Sequence, residues 1–356
     1  MKNFKGFLFL AVCLMMLLLA ACSSEEADSS TSNESTTPEG DQVQTSGEQV
    51  KEEELEEIEF GLAHNYPVEL HTSKGLDLFA ELVKEKSDGK INMKVYPTGQ
   101  LYNDISMPDA VSTGQIEMGA NTLEMWTSQV PAAEFVVLPL FDDYKHVHAA
   151  IDNGINDIFV EELNKVGAHP LIWSDFGFGY YASKEEPLST PESFKGKRIR
   201  TTSPLMAKYV ELAGGSPVTI SGSEVTQALQ KGTIDGALSG VSGFTAVQYY
   251  EFTKNYSGPQ NAGVVLITVN LEWWNSLSEA AREIISEAAD ESEKWTTVEA
   301  DIIYNESVAQ LEEEGMTLVP VEKESFKAIE DELATEYLSR SGEVGKEILE
   351  IIESTK

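Results

Sequence analysis

The chain has 356 residues, of which 60 are acidic and 25 are basic, giving a formal net charge of -35. Its apolar fraction of 41% is ample for a hydrophobic core, and its length suggests two domains rather than one. The acidic excess argues against a nucleic-acid partner, because affinity for a polyanion comes largely from Lys and Arg. The 2 cysteines exclude a disulfide framework and a four-cysteine zinc site.

Residues 1–21 have the pattern of an export signal. Lys2 and Lys5 precede an apolar run over 7–21 that is too short for a typical membrane span. The run ends in small residues followed by Cys22, which resembles the bacterial lipoprotein signal, in which the cysteine is acylated with palmitate-type chains and becomes the mature N-terminus. The alternative is an ordinary export signal in which Cys22 has no such role. The lipoprotein interpretation predicts an extracytoplasmic protein held at the cell membrane by its N-terminal lipid only.

Residues 22–57 are rich in Ser, Thr, Glu, Asp, Gln and Gly and contain almost no large apolar side chain. Such a segment cannot bury enough apolar surface to offset the entropy of ordering it, so we predict an acidic, disordered tether. The tether either gives reach towards a membrane partner or serves as a passive spacer.

The folded body begins near residue 58 with alternating apolar residues that predict a strand. A helix over 75–86, a strand over 91–97, a helix around Ala110 and a short strand over 116–121 follow. Residues 145–166 have a helical pattern and 170–173 a strand pattern. This alternation of strands and helices predicts an α/β domain with a mainly parallel sheet.

The same alternation restarts after Ser183, which suggests a second α/β lobe. Strands are predicted over 198–200, 217–220 and 233–238, with helices between them. The most apolar strand of the body covers 263–270. Ser276 and Glu279 then fit a capping box for a helix that continues to about Glu313, long enough to brace both lobes.

The sequence contains none of the common catalytic signatures. It lacks a Gly-x-Ser-x-Gly elbow, a phosphate-binding loop, a dinucleotide fingerprint and a His-Glu-x-x-His zinc motif. His146 and His148 are two positions apart, so on a helix they point to different faces and do not suggest a metal site. We therefore predict no enzyme activity, no cofactor and no metal. A surface-anchored hydrolase, or an adhesin or folding factor without a small ligand, remains as the alternative.

Several motifs in order along the body carry a family likeness. They are Tyr96 to Leu101, Leu138 to Phe141, Ser193 to Arg200, Ala228 to Gly236 and Trp274 to Leu277. Together they resemble the solute-binding proteins of tripartite ATP-independent periplasmic (TRAP) transporters, the DctP type. The resemblance implies a two-lobed periplasmic-binding-protein-like fold with hinge strands and a long helix spanning both lobes. Lobe one would comprise 58–183 plus 264–313, and lobe two 184–263 plus 314–356. It also implies an organic carboxylate as ligand and a two-part membrane permease driven by an ion gradient as partner.

Arg200 matches the family's carboxylate-clamping arginine. A guanidinium stays charged at any relevant pH and binds a carboxylate through two parallel hydrogen bonds. Arg200 also falls at the end of a predicted strand, where ligands of α/β sheets collect. Arg198 shares its strand face, so the spacing alone does not choose between the two. The alternative for Arg200 is a structural role in a surface salt bridge.

Phe178 stands in a stretch where the family often carries a second ligand-facing arginine. Ser239 stands where many members have Asn. Losing a cation and gaining an aromatic ring favours a monocarboxylate with an apolar or aromatic part over a dicarboxylate. Three aromatic residues are predicted to form walls of the ligand site, with packing in the core as the alternative for each: Trp126, Trp173 and Tyr180. Asn121 and His64 are predicted polar contacts at strand ends.

Overall fold

The computed structural model describes residues 55–356 and contains a mixed sheet flanked by helices. Within this range the strands are Ile58–His64 (β1), Ile91–Tyr96 (β2), Met118–Thr122 (β3), Ala168–Ser183 (β4), Arg198–Thr201 (β5), Ser216–Thr219 (β6), Gly236–Gly240 (β7), Asn255–Gly258 (β8), Ala262–Asn270 (β9) and Thr317–Pro320 (β10). The α-helices are His71–Lys86 (α1), Met107–Ser112 (α2), Tyr144–Ala150 (α3), Asn156–Lys165 (α4), Pro191–Phe194 (α5), Pro204–Leu212 (α6), Val225–Lys231 (α7), Val241–Ala246 (α8), Leu271–Ser276 (α9), Glu279–Glu313 (α10) and Lys323–Ser354 (α11).

The predicted export signal 1–21, Cys22 and the tether up to residue 54 lie outside the described residues. Residues 55–57 belong to the range that was predicted as tether, yet the side chain of Leu55 packs against the core of the first lobe. At least one residue of the predicted tether range, Leu55, therefore packs with the folded body.

The strands follow the order β2-β1-β3-β9-β4-β7-β5-β6, with β8 beside β4 and β10 beside β8. β1 pairs in parallel with β2 and β3, while β9 runs antiparallel to both β3 and β4. In the second half, β5 pairs in parallel with β6 and β7. Helices lie between the parallel strands, as a right-handed crossover requires. The predicted two-lobed α/β class is confirmed.

One long strand, β4, belongs to both halves of the sheet. Its residues from Ala168 to Phe178 pair with β9, and its residues from Gly179 to Ser183 pair with β7. The chain returns to the first half between β8 and β9. These two connections are the hinge strands of the molecule, because relative motion of the lobes must be absorbed where they cross.

Helix α10 contacts both lobes along its length. Ser278 caps its first turn by accepting a hydrogen bond from the Ala281 backbone N–H at 3.2 Å. In lobe one, the Ser292 hydroxyl donates to the Gly75 carbonyl of α1 at 2.7 Å. Near its other end, the Ser307 hydroxyl lies 3.1 Å from that of Thr245 in α8. A helix of 35 residues is about 50 Å long, enough to span both lobes.

Helix α11 was assigned to lobe two with the rest of 314–356, and its contacts differ from that assignment. The Tyr337 hydroxyl donates to the Ala132 carbonyl of lobe one at 3.1 Å, and His146 Nε2 lies 2.9 Å from the Ile352 carbonyl. On the other side, the Phe326 ring stacks on Tyr209 of α6 at 5.7 Å between ring centres. The helix therefore packs across the boundary, and its buried side chains join the two lobes into one apolar cluster.

A partly buried polar cluster lies beside β4 where α3 and α10 meet the strand. His148 Nε2 is 2.9 Å from Asp175 Oδ1, and the Trp173 backbone N–H donates to Glu293 Oε2 at 3.4 Å. The hydrogen bond to Asp175 raises the pKa of His148. Burial, reinforced by Asp290 and Asp175, raises the pKa of Glu293 to about 7, although Trp173 and His148 oppose the shift. Glu293 is therefore a carboxyl group whose ionisation opposes folding near neutral pH.

We expect Glu293→Gln to stabilise the protein at pH 8 and to leave it unchanged at pH 4. Below the unfolded-state pKa, near 4.5, both states hold the proton. As the pH rises towards 7 the unfolded chain releases it first, so the free energy of unfolding falls, by about 1 to 3 kcal/mol in total. Urea unfolding at pH 4, 6 and 8 measures this slope.

The matched control is Glu283→Gln, which neutralises an exposed carboxyl on the same helix and is expected to leave the pH slope unchanged. If Glu293→Gln and the unsubstituted protein lose stability equally between pH 4 and 8, Glu293 is not the group responsible.

Candidate functional site

A cavity of about 140 Å³ lies between the lobes, where the carboxyl ends of their parallel strands face each other. Lobe one contributes residues that follow β1, β2 and β3, and lobe two contributes residues at or after the ends of β5, β6 and β7. The crossing strands β4 and β9 contribute the remaining wall. The lining residues on which the site depends are Asn65, Tyr66, Asp104, Glu124, Phe176, Arg200, Thr202, Ser239, Tyr249 and Asn261.

Arg200 lies in β5 and its side chain lines this cavity with 8% of its surface exposed. Its Nε donates to the Ile220 carbonyl at 3.3 Å and its Nη1 to the Leu238 carbonyl at 3.5 Å. The guanidinium has five N–H donors, so these contacts and the pair with Asp104 leave two for a ligand. By contrast, Arg198 is exposed and pairs with Asp235 at 2.9 Å.

Asp104 reaches from lobe one into lobe two. Its carboxylate lies 3.5 Å from Arg200 Nη2, accepts a 2.6 Å hydrogen bond from the Ser221 hydroxyl and accepts a 3.0 Å hydrogen bond from the Gly222 backbone N–H. Because Asp104 is only 3% exposed, these partners offset the cost of removing its charge from water. One side chain thus connects the lobes and orients Arg200.

Glu124 makes a second polar contact between the lobes. It lies in the 3₁₀ turn Leu123–Ser128 just after β3. Its Oε1 accepts hydrogen bonds from the Thr122 hydroxyl of lobe one at 2.8 Å and from the Thr202 hydroxyl of lobe two at 3.0 Å. Burial raises the pKa of Glu124, while its own backbone N–H, these hydroxyls and the charge of Arg200 act in the opposite direction. The ionised form of Glu124 therefore needs further donors or a cation to offset its burial.

Three further lining residues present buried polar atoms without a partner within residues 55–356. The Tyr66 hydroxyl makes no hydrogen bond there, and burial and the charges of Glu124 and Asp104 raise the pKa of that phenol. The Asn261 Nδ2 donates to the Val136 carbonyl at 2.9 Å, which leaves its buried Oδ1 unpaired, and the buried Oδ1 of Asn65 is unpaired as well. Buried polar atoms in native proteins are nearly always satisfied, so these three are candidates for ligand contacts.

Of the predicted ligand contacts besides Arg200, only Ser239 lies among the lining residues. Phe178 packs edge-to-face against Tyr144 at 5.1 Å instead. The reason is a β-bulge between Asp175 and Gly177, where Gly177 adopts a φ of +96°. The extra residue inverts the alternation of the strand, so that Phe176 rather than Phe178 faces the cavity.

The other predicted aromatic walls are core residues. Trp126 is fully buried. The Trp173 indole N–H donates to Asn156 Oδ1 at 2.9 Å within lobe one. The Tyr180 hydroxyl lies 3.1 Å from that of Tyr304 on α10. None of the three lines the cavity, so the core-packing alternative describes their positions.

His64 and Asn121 lie behind the cavity wall rather than in it. Burial lowers the pKa of His64 to about 4, and its Nδ1 accepts a hydrogen bond from the Tyr66 backbone N–H at 3.2 Å. Asn121 Nδ2 donates to the Asp104 carbonyl at 3.4 Å. Both residues therefore support the loops that carry lining side chains.

The lining residues that the sequence analysis did not identify share a position in the fold. Asn65 and Tyr66 directly follow β1, Glu124 follows β3 by two residues, and Asp104 lies in the loop after β2. The carboxyl ends of parallel strands meet at one edge of a sheet, so polar residues just after the predicted strands were the available signal. Within residues 55–356, no three His, Cys, Asp or Glu side chains are grouped to hold a metal ion.

Residues 62–341 match the family described as DctP, bacterial extracellular solute-binding protein, family 7. The C4-dicarboxylate-binding protein DctB of Bacillus subtilis is 26% identical over 262 residues, which are 72% of this chain and 74% of that protein. The sialic acid-binding periplasmic protein SiaP of Vibrio cholerae is 25% identical over 287 residues, which are 78% of this chain and 86% of that protein.

Solved structures show the same architecture. A TRAP periplasmic solute-binding protein from Roseobacter denitrificans with bound β-D-glucuronate superposes with a TM-score of 0.80 at 25% identity, covering 84% of this chain and 100% of that one. Within residues 55–356, no helix combines the length and the apolar character needed to cross a membrane.

Proposed function

Since this chain belongs to the DctP family of extracytoplasmic solute-binding proteins of TRAP transporters, we propose that it captures a small monocarboxylate and delivers it to an ion-gradient-driven permease. In this proposal the two lobes close on the ligand about β4 and the β8–β9 connection. The membrane subunits of the transporter are its protein partners.

The observation that carries the proposal is the position of Arg200. A buried cation in a cavity between two lobes is a ready partner for a buried anion, because each offsets the desolvation of the other. Two carbonyl oxygens and Asp104 hold the guanidinium in one orientation. A carboxylate can take its two remaining N–H donors without reorienting the side chain.

The charges around Arg200 favour one carboxylate over two. Among the lining residues Arg200 is the only Lys or Arg, whereas Asp104 and Glu124 are both acidic. A dicarboxylate would bring its second negative charge beside these carboxyls, and like charges in a buried site repel strongly. Apolar and aromatic lining residues such as Leu70, Phe176 and Tyr249 support a ligand with an apolar part.

The named relatives agree with an organic acid as the ligand class and differ in its kind. DctB is named for C4-dicarboxylates, and the Roseobacter structure holds glucuronate. At about a quarter sequence identity, such differences in ligand are expected on a shared fold. We therefore base the choice of a monocarboxylate on the lining residues of this chain and not on the names of its relatives.

The alternatives of a surface-anchored hydrolase and of an adhesin or folding factor have weaker support. The named relatives are transport proteins that bind solutes. A hydrolase would turn over the acid that it binds, and an adhesin would bind no small acid.

We expect Arg200→Ala to weaken binding of the organic acid by about a hundredfold or more, since truncating one partner of a buried charge pair costs about 3 to 5 kcal/mol. Calorimetric titration with the carboxylate that gives the largest thermal shift in an organic-acid screen measures the loss. Arg200→Lys is expected to restore only part of the affinity, because an ammonium lacks the planar fork.

The matched control is Arg198→Ala on the same strand, which removes an exposed arginine paired with Asp235. This variant is expected to bind the acid like the unsubstituted protein. Undiminished binding by Arg200→Ala would remove Arg200 as the anchor, and equal losses in both variants would point to damage of β5.

We also expect Cys22→Ala to release the protein from the cell membrane, because the proposed anchor is an acyl chain on that thiol. Cells grown with an alkyne-bearing palmitate analogue should label the unsubstituted protein and not Cys22→Ala. Cys13→Ala is the control, since the proposed processing removes that residue. Label and membrane association retained by Cys22→Ala would contradict the lipoprotein interpretation.

A further inference from the structure

Glu124 is a buried acid inside the cavity, and its side-chain donors reach one oxygen only. It is 8% exposed, and the hydroxyls of Thr122 and Thr202 both donate to Oε1. Its own backbone N–H also bonds the carboxyl group. Within residues 55–356, no side chain donates a hydrogen bond to Oε2. A buried carboxylate needs donors or a cation to compensate for lost hydration, and a ligand can add one beside Glu124.

Asp104 does not share this deficit. Its two oxygens already accept from Ser221, Gly222 and Arg200. The unpaired Oδ1 atoms of Asn65 and Asn261 and the unpaired Tyr66 hydroxyl belong to residues that line the same cavity. The unfilled positions are therefore two amide acceptors and one hydroxyl that can act in either role. The cavity thus offers a carboxylate-binding cation at Arg200 and, elsewhere, mainly acceptors that need donors.

We propose that the ligand is a compact aminocarboxylate, whose carboxylate meets Arg200 and whose ammonium or other N–H donor meets Glu124. This inference rests on the proposed function and specifies the substrate class of the same site. A zwitterion adds no net charge. Its carboxylate pairs with Arg200, the one lining cation, and its ammonium pairs with the carboxylate of Glu124. A plain monocarboxylate satisfies Arg200 and supplies no donor to Glu124, Asn65 or Asn261.

The volume of the cavity matches that of a compact ligand. About 140 Å³ is close to the roughly 150 Å³ of an engineered protein cavity that holds benzene. This corresponds to a ligand of about six to nine non-hydrogen atoms, such as a small cyclic or branched amino acid. Proline and cyclopentanecarboxylate are probes of matched shape in this range, and they differ only in the ring nitrogen.

The test is a calorimetric comparison of matched acids on the mature chain after dialysis. The pairs are proline with cyclopentanecarboxylate and leucine with 4-methylpentanoate, and succinate represents the dicarboxylates. We expect the amino member of at least one pair to bind about tenfold or more tightly than its partner, because a hydrogen bond between charged groups contributes about 1.5 to 3 kcal/mol. Succinate is expected to bind more weakly than that amino acid.

Glu124→Gln separates the ammonium contact from other causes. We expect this variant to bind the amino member about tenfold more weakly and the desamino member at least as well as the unsubstituted protein does. Retained binding of the desamino member shows that the variant is folded. Glu117→Gln is the control, since Glu117 accepts from the Gly61 backbone N–H at 2.9 Å and does not line the cavity.

Tighter binding of the desamino acids or of succinate, or an unchanged affinity of Glu124→Gln for the amino acid, overturns this inference. If that binding still depends on Arg200, the proposed function stands without it. A panel in which no acid binds overturns the inference and also counts against the proposed function. The comparison of matched acids on the unsubstituted protein decides the question even if Glu124→Gln does not fold.

Discussion

A guanidinium buried between two lobes needs acceptors from both, because water no longer supplies them. Arg200 obtains two backbone carbonyls from its own lobe and the Asp104 carboxylate from the other. Asp104 in turn is held by a hydroxyl and a backbone N–H of lobe two. The parallel strands of both lobes end around this pair, and residues at or after those strand ends line the cavity with it.

The crossing strand connects this pair to the mechanics of the fold. β4 passes from one half of the sheet to the other, and its bulge at Gly177 lies beside the cavity. An added residue in a strand bends it and increases its local twist. The bulge therefore turns Phe176 into the cavity and places Phe178 against Tyr144. The same local feature shapes the binding surface and lies where the lobes join.

The element order and Arg200 could be predicted from sequence, whereas much of the cavity wall could not. Strand and helix patterns depend on nearby residues, and Arg200 combines a strand end with a recognisable motif. Glu124 and Asp104 are 2 of 60 acidic residues, and the only local signal that marks them is a position after a predicted strand, which solvated acidic residues share. The predicted position of Phe178 differs from the structure because a β-bulge shifts the register of β4. That bulge depends on pairing with a strand that is distant in sequence. The packing of α11 across both lobes likewise depends on contacts far apart in sequence.

Polar contacts that join the lobes also bear on affinity. Asp104 and the Glu124–Thr202 hydrogen bond connect the lobes through protein atoms alone. A ligand shifts an equilibrium between open and closed forms only through its differential affinity for them. Polar contacts that already join the lobes therefore lower the binding free energy that the ligand must contribute to closure. Arg200 is already oriented, which reduces the ordering that binding requires. Contacts between protein atoms therefore hold the lobes together, and the interactions of the ligand mainly determine which ligand is bound.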